Sequence, residues 1–571
     1  AGVTRPHARL LVATALLFPL IAGLELLQPY LLKIAIDEHI LRDDWAGLTG
    51  VATVFLGVLL SLAAGRALET YLMHLAGQRV MHDLRSQLFR HLLRQEAAFF
   101  DRNPVGRLMT RVLNDVEAIS EAFTSGLVAV VGDLITLAGV VAVMLWMDWR
   151  LALVTFSIVP VLGGGAAYFR VRARDAYRVV RQRLARLNAF LQESLQGMTV
   201  IQLFGREGHE FTAFRRLSTA LRRAMFASTV WEASLYAMVE ALGSAALALL
   251  LWYGAGQITV EALTFGTLVA FIQYTNRFFL PIRDLGAKYT VMQAAMASSE
   301  RVFALLDRRP AIAAPAAPPP ATRAAAPAVA LRGAWFAYAG EEWVLRDCSF
   351  VVRPGEHVAL VGPTGEGKST CARLLNRAYD VQRGQVLVDG VDVREWDLDR
   401  LRRHVGIVFQ ETVLFTGTVE ANLTSAADGR VGRTELLQAV EAARCGPLLH
   451  TLPRGLSEEL VERGANLSHG QRQLLAIARA LVYNPAVLVL DEATSSVDAE
   501  SEALIRHAIA RLAEGRTMIT IAHRLSTVQH ADRILVLHHG RIHEEGRHAE
   551  LLGRGGVYAR LWELSIRARP A

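Results

Sequence analysis

Six stretches of mainly apolar residues, at 10–36, 48–75, 124–147, 151–169, 230–253 and 263–285, are each long enough to cross a bilayer as a helix. A helix rises about 1.5 Å per residue, so about 20 apolar residues traverse roughly 30 Å of hydrocarbon. All six lie in the first half of the 571-residue chain, which is therefore read as a helical membrane domain. The first run is too long for a signal peptide and is read as a retained span. Six crossings return both ends of the domain to one side. The segment after the second stretch carries Arg79, Arg85, Arg90, Arg94, Arg102, Arg107 and Arg111, and that after the fourth is equally Arg-rich. The connections 37–45, 148–150 and 254–261 carry few basic residues. Basic loops stay in the cytoplasm, so both termini are expected there, in a multi-pass protein of the cell (inner) membrane.

The formal net charge of +7 could point to nucleic acid. The arginines cluster beside apolar spans, where they meet headgroups and cytoplasm, so no nucleic-acid partner is expected and the lipid bilayer is. The three cysteines, Cys348, Cys371 and Cys445, form no C-x-x-C pair, which fits a reduced compartment and excludes a cysteine metal site.

The two basic segments keep apolar residues at helical spacing, as in Leu84, Leu88, Leu92 and Leu187, Leu191, Leu195, so the helices are expected to run on beyond the bilayer. Irregular pieces near 103–115 and 197–207 would be the tips of two long hairpins. A Pro- and Ala-rich spacer at 308–328 marks a domain boundary, because it cannot build a core. Beyond it, β-branched runs at 358–361, 406–409, 487–490 and 518–521 alternate with helical patterns, which indicates an α/β domain with a largely parallel sheet.

The run at 358–361 leads into Gly362, Pro363, Thr364, Gly365, Glu366, Gly367, Lys368, Ser369 and Thr370, a match to G-x-x-x-x-G-K-[ST] between strand and helix. Glycines let backbone N–H groups curl around phosphate oxygens, and the helix N-terminus adds positive potential. Lys368 would reach the β- and γ-phosphates and the Ser369 hydroxyl would bind Mg²⁺. The alternative is a glycine turn beside a surface lysine. The apolar run 487–490 ends in Asp491 and Glu492, placed for Mg²⁺ binding and for accepting a proton from attacking water respectively. The bland reading is a surface acid pair ending a strand.

Between these motifs lies Leu467-Ser468-His469-Gly470-Gln471, followed by a helical pattern. With it the second half resembles the nucleotide-binding domain of the ATP-binding cassette superfamily, and the first half resembles the six-span exporter module. The resemblance runs nearly end to end. It implies an all-α six-helix transmembrane exporter domain at 1–307, the linker at 308–328, and an α/β phosphate-loop (RecA-like) nucleotide-binding domain at 329–571. By the same resemblance Tyr338 stacks on adenine, Gln410 contacts Mg²⁺ and reports to the membrane domain, Asp498 sits in the loop crossing between paired domains, and His523 contacts the γ-phosphate. Ser468, Gly470 and Gln471 would close on an ATP held by a second chain, because each motif occurs once here. Glu492 and His523 are then the catalytic pair, and Ser369, Gln410 and Asp491 the Mg²⁺ set.

Three positions depart from the family pattern. His469 stands where the pentapeptide usually has glycine, which implies a heterodimer whose other half-transporter has a degenerate catalytic glutamate. Glu366 replaces a small residue, and its carboxylate is expected to face solvent; Val461 replaces a glycine in a segment resembling the loop that contacts the hairpin tips. Short elements near 112–117 and 199–205 are expected to seat on the cassettes. Glu25, Asp133, Glu232, Glu240 and Arg277 lie within spans and are expected to face a cavity or one another. The implied function is ATP-driven export, by alternating access, of hydrophobic or amphipathic drugs, lipids or peptides. The alternatives are a homodimeric lipid flippase and an ATP-gated regulatory or channel protein.

Overall fold

A computed structural model describes residues 5–312, 326–410, 412–425, 431–491, 499–522 and 528–567. They fall into two compact units: 1–93 with 106–308, and 94–105 with 309–571. The segment 94–105, which follows the second long helix in the chain, thus belongs with the second unit.

The first unit is helical. Its long helices are Ala8–Ile34, Trp45–Leu92, Val128–Met147, Val159–Gln196, Glu207–Thr259 and Phe265–Leu306. At 48 and 53 residues, Trp45–Leu92 and Glu207–Thr259 reach about 72 and 80 Å, more than twice the hydrocarbon thickness. Polar residues mark the turns between apolar runs. Asp148 caps Trp149–Phe156 by accepting from the N–H groups of Arg150 and Leu151, both at 2.9 Å. Thr264 caps Phe265–Leu306 through the Thr267 N–H, and Asp37 accepts from the Thr264 hydroxyl and the Gly266 N–H at 2.6 and 2.7 Å.

Five helices among the described residues are long and apolar enough to cross a membrane. The sixth expected stretch lies in Phe265–Leu306, where Gln273, Asn276 and Arg277 interrupt the apolar run. One side of this stretch faces protein, while Asn276 and Leu280 are exposed. Tyr274 is fully buried and donates to the Leu26 carbonyl at 2.5 Å, Arg277 donates to the Glu25 carbonyl and to Gln28 Oε1, and Phe271 and Phe278 join the apolar core built on Met144, Leu151 and Leu250. Polar groups bonded to a neighbouring helix lower hydropathy without meeting lipid.

The second unit is α/β. Its strands are β1 (Val329–Ala337), β2 (Trp343–Val352), β3 (His357–Val361), β4 (Arg383–Val388), β5 (Val391–Asp392), β6 (Val405–Val408), β7 (Gly417–Thr418), β8 (Glu459–Leu460), β9 (Val487–Asp491), β10 (Thr517–Ile521), β11 (Arg533–His538) and β12 (Arg541–Gly546). The main sheet has the order β12-β11-β3-β10-β9-β6 and is parallel except for the β11–β12 hairpin. Strands β3 and β9 are buried almost throughout, as expected of a parallel sheet covered on both faces. A separate antiparallel sheet, β2-β1-β4-β5, packs its inner side chains, among them Leu331, Phe336, Leu345 and Val388, into the same core as Val358, Leu360 and Ile519.

Candidate nucleotide site

The parallel strands bring the predicted residues to one sheet edge. Asp491 pairs in register with Ile521, and Ile521 with Leu360, two residues before Gly362. Asp491 and the phosphate loop therefore end strands two places apart, about 10 Å across the sheet, at the carboxyl edge where α/β proteins bind ligands. Gln410 follows β6, which flanks β9, and is exposed.

The phosphate loop has the backbone that its glycines demand. Gly365 and Gly367 have φ of +89° and +98°, and Gly367 is the left-handed cap of the helix Lys368–Leu375. A Cβ on Gly362 would lie 2.2 Å from the Leu537 carbonyl oxygen, so the loop passes too close to β11 for any side chain. Lys368 is 5% exposed, and its ammonium donates to the carbonyls of Gly362 and Pro363 at 2.8 and 2.7 Å. Among the described groups around it, loop carbonyls occupy the place that phosphate oxygens would take. Thr364 and Gly365 are exposed at the loop's crest, Pro363 and Ser369 are half-buried, and Thr370 is buried with its hydroxyl 3.0 Å from the Tyr338 hydroxyl.

Tyr338 follows β1 and stands edge-on to Phe336 and Tyr379, with ring centroids 4.9 and 5.3 Å away. Its bond to Thr370 fixes an aromatic face beside the phosphate loop. Asp491 is 7% exposed. The buried Asp491 carboxylate, the Ser369 hydroxyl and the Gln410 carbonyl would offer only oxygen donors, a chemistry that fits Mg²⁺ rather than a softer metal.

Ser468 caps the helix His469–Tyr483. Its hydroxyl accepts from the Gln471 N–H at 3.2 Å while Gln471 Oε1 accepts from the Ser468 N–H at 2.8 Å, a reciprocal box that holds the helix start. His469 occupies the first helical position, half-buried, and Gly470 is buried. The histidine is thus accommodated without loss of the cap. Glu492, Asp498 and His523 lie outside the described residues, as does most of the 308–328 spacer.

Glu366 is placed otherwise than expected. Its side chain is 16% exposed and turned onto the β11–β12 hairpin, with Oε2 accepting from the Gly540 N–H at 3.3 Å. Thr364 and Gly365 take the outermost positions of the loop and the hairpin packs behind it, so Glu366 turns inward.

A segment seated on the cassette core precedes the stretch near 112–117. The short helix Ala97–Arg102 buries Phe99 to 1% exposure and lays Ala97 and Ala98 on the core. Asp101 accepts from the Tyr379 hydroxyl, and Arg102 donates to the Tyr338 carbonyl at 3.4 Å. Burial first, and then the bond to Asp101, push the Tyr379 hydroxyl's pKa well up. The stretch 111–115 is instead part of the first unit, where Asp115 is clamped by Arg301 at 2.6 and 3.0 Å. Asp101, Arg102 and Tyr379 thus sit beside the predicted adenine position, unassigned by motif; the Phe99-Phe100 pair within an arginine-rich turn was the available signal.

A loop wrapped by glycines around a buried lysine, backed by a strand-end aspartate and by a capped serine helix start, defines a phosphate-loop ATPase cassette. Comparison with known proteins carries this to a family. Residues 11–282 match the family described as ABC transporter transmembrane region, and 345–495 match ABC transporter. The chain is 34% identical to the ATP-dependent lipid A-core flippase of Thiobacillus denitrificans, covering 99% of this chain and 97% of that one. It is 36% identical to the probable multidrug resistance ABC transporter ATP-binding/permease protein YheH of Bacillus subtilis, over 87% and 74% respectively. A solved bacterial Atm1-family ABC exporter with ATP bound superposes with a TM-score of 0.81 at 30% identity, covering 99% of both chains. The chain belongs to the ABC transporter family as a membrane-embedded exporter half-transporter, an ATPase coupled to export.

Proposed function

We propose that the chain exports hydrophobic or amphipathic molecules, in the range of drugs, lipids and peptides, by alternating access, as one half of a heterodimer in the inner membrane with cassette and termini cytoplasmic. The observation that carries the nucleotide chemistry is the Lys368 ammonium held inside the glycine-wrapped loop by two loop carbonyls. Lys368 and the loop N–H groups bind the phosphates of ATP, and the Tyr338 ring takes adenine. Ser369, Asp491 and Gln410 hold Mg²⁺, which offsets phosphate charge when bound. Glu492 accepts the proton of the attacking water and His523 bonds the γ-phosphate. Ser468, Gly470 and Gln471 close on the ATP of the partner chain, whose own pentapeptide closes on this one; Asp498 crosses between them.

Of the ionisable residues within the spans, Glu25 pairs with Arg66 and Asp133 with Lys288, while Glu232 and Glu240 are exposed. Glu232 and Glu240 are therefore the better candidates for cationic cargo.

The heterodimer reading rests on His469. A homodimeric lipid flippase is the second reading, favoured by the intact cap at Ser468 and by likeness to lipid A-core flippases over nearly the whole chain. The test is purification of the chain from its own cells together with Glu492→Gln in the reconstituted transporter. The expected results are a second ABC chain lacking a catalytic glutamate and a variant that retains bound ATP in an outward-facing state. A homodimer with two equally active sites removes the heterodimer, and unaltered turnover in Glu492→Gln removes the catalytic assignment.

A further inference from the structure

Glu366 meets two histidines behind the phosphate loop. Strand β11 ends at His538, and His539 follows with φ of +51°. In a continuing strand these neighbours would point to opposite faces; the left-handed turn instead brings their rings together, with centroids 4.0 Å apart and 32° between planes. Glu366 reaches the same place from the loop. Its Oε1 lies 3.3 Å from His538 Nδ1, which is buried and outside hydrogen-bonding alignment. One donor atom from each of Glu366, His538 and His539 lies within 4.8 Å of the other two.

We infer that Glu366, His538 and His539 form a binding site for a divalent transition metal of the Zn²⁺ class, tying the phosphate loop to the β11–β12 hairpin. Two imidazoles and a carboxylate, completed by a water, are the ligand set of a four-coordinate Zn²⁺ or Co²⁺ site. Metal–ligand bonds of about 2.05 Å at a tetrahedral angle separate neighbouring donors by about 3.3 Å. The Glu366–His538 spacing has this value, with no hydrogen bond to be broken. The wider gap closes by rotating His539, the exposed member of the three. The oxygen-rich Mg²⁺ set of Ser369, Asp491 and Gln410 is a different chemistry at the sheet edge, so the two sites select different metals. Glu366 is flanked by Gly365 and Gly367, both at positive φ, so a metal on its carboxylate restrains the loop between two glycines.

The test uses the full-length transporter as purified, without a polyhistidine tag, stripped by chelator and titrated with Co²⁺ in the absence of nucleotide. Wild type is expected to bind one Co²⁺ per copy of this chain, with the visible absorption of a four-coordinate centre, and to release it to Zn²⁺. The His538→Asn/His539→Asn double variant is expected to lose that absorption while hydrolysing MgATP at the wild-type rate after chelation, which shows that it folds. Should the double variant fail to fold, the exposed His539→Asn alone is expected to bind Co²⁺ at least about tenfold more weakly. The same stoichiometry and spectrum in wild type and variants, or no four-coordinate Co²⁺ in wild type, overturns the site and leaves Glu366 and His538 as a plain ion pair.

Discussion

The bond between Asp101 and Tyr379 offers a measurable test of how the hairpin segment 94–105 is held on the cassette. Tyr379→Phe keeps the ring that packs edge-on against Phe336 and Tyr338 and removes only the hydroxyl. A hydrogen bond to a charged group contributes about 1.5–3 kcal/mol when buried; Asp101 is exposed, which places this one at the lower end, about 1.5 kcal/mol. Since about 1.4 kcal/mol is a factor of ten, local opening of Ala97–Arg102 should rise about tenfold. Hydrogen exchange at the amides of 97–102 in the full-length transporter reads this directly. The double-mutant cycle with Asp101→Ala isolates the pair: the double variant should exchange hardly faster than either single one, leaving a coupling of about 1.5 kcal/mol. Additivity to within about 0.3–0.5 kcal/mol would falsify the bond as a tether. Phe99→Ala is the positive control, since losing a fully buried Phe costs about 3–5 kcal/mol and should release the segment altogether.

Gly362→Ala should abolish ATP binding and destabilise the cassette by at least about 2 kcal/mol, read from denaturant unfolding, because its Cβ would meet a backbone carbonyl that has no room to retreat. Burial on β3 lowers the pKa of His357, which bonds Thr520 at 2.9 Å, below its ordinary 6.5, and Asp532 only partly opposes this. The neutral ring's contribution is therefore complete above about pH 6.5 and is lost as pH falls through the depressed value, so thermal stability should drop on acidification and His357→Gln should flatten that slope. The Arg301 guanidinium holds the Asp115 carboxyl below its ordinary 3.8. Its contribution is complete above about pH 4 and lost only below, so Asp115→Asn should destabilise the first unit at pH 7, with an effect that shrinks as pH falls below about 4, as followed by tryptophan fluorescence.

The nucleotide site was legible because its chemistry is local in the chain. The nine residues from Gly362 to Thr370 dictate their own backbone, and the apolar run before Asp491 can only be a buried parallel strand. Each expected strand appears within one residue of its anticipated ends, as with Val405–Val408 for the run 406–409. The antiparallel sheet was not legible. In β1 the pairing register shifts between Leu331 and Ala334 and again beyond it, with Gly333 at φ +55°, so the alternation of buried and exposed positions breaks within nine residues. A period-two reading has no purchase on a bulged strand.

What sequence patterning could not supply was partnership between distant segments, and the segment 94–105 shows why. Helical spacing continues through Leu84, Leu88 and Leu92, and the residues that end it differ little in composition from those at 106–115. The difference lies in what they meet: Ala97 and Ala98 pack on a core built more than 200 positions later, while Asp115 finds Arg301 and Ser298 on the last helix of the first unit. Packing on a distant core outweighs any local propensity in a six-residue helix, because such a helix is not stable alone. Glu366 obeys the same logic, its direction set by a hairpin 170 residues downstream. There a side chain that looks like a solvated charge ties a distant hairpin to the phosphate loop.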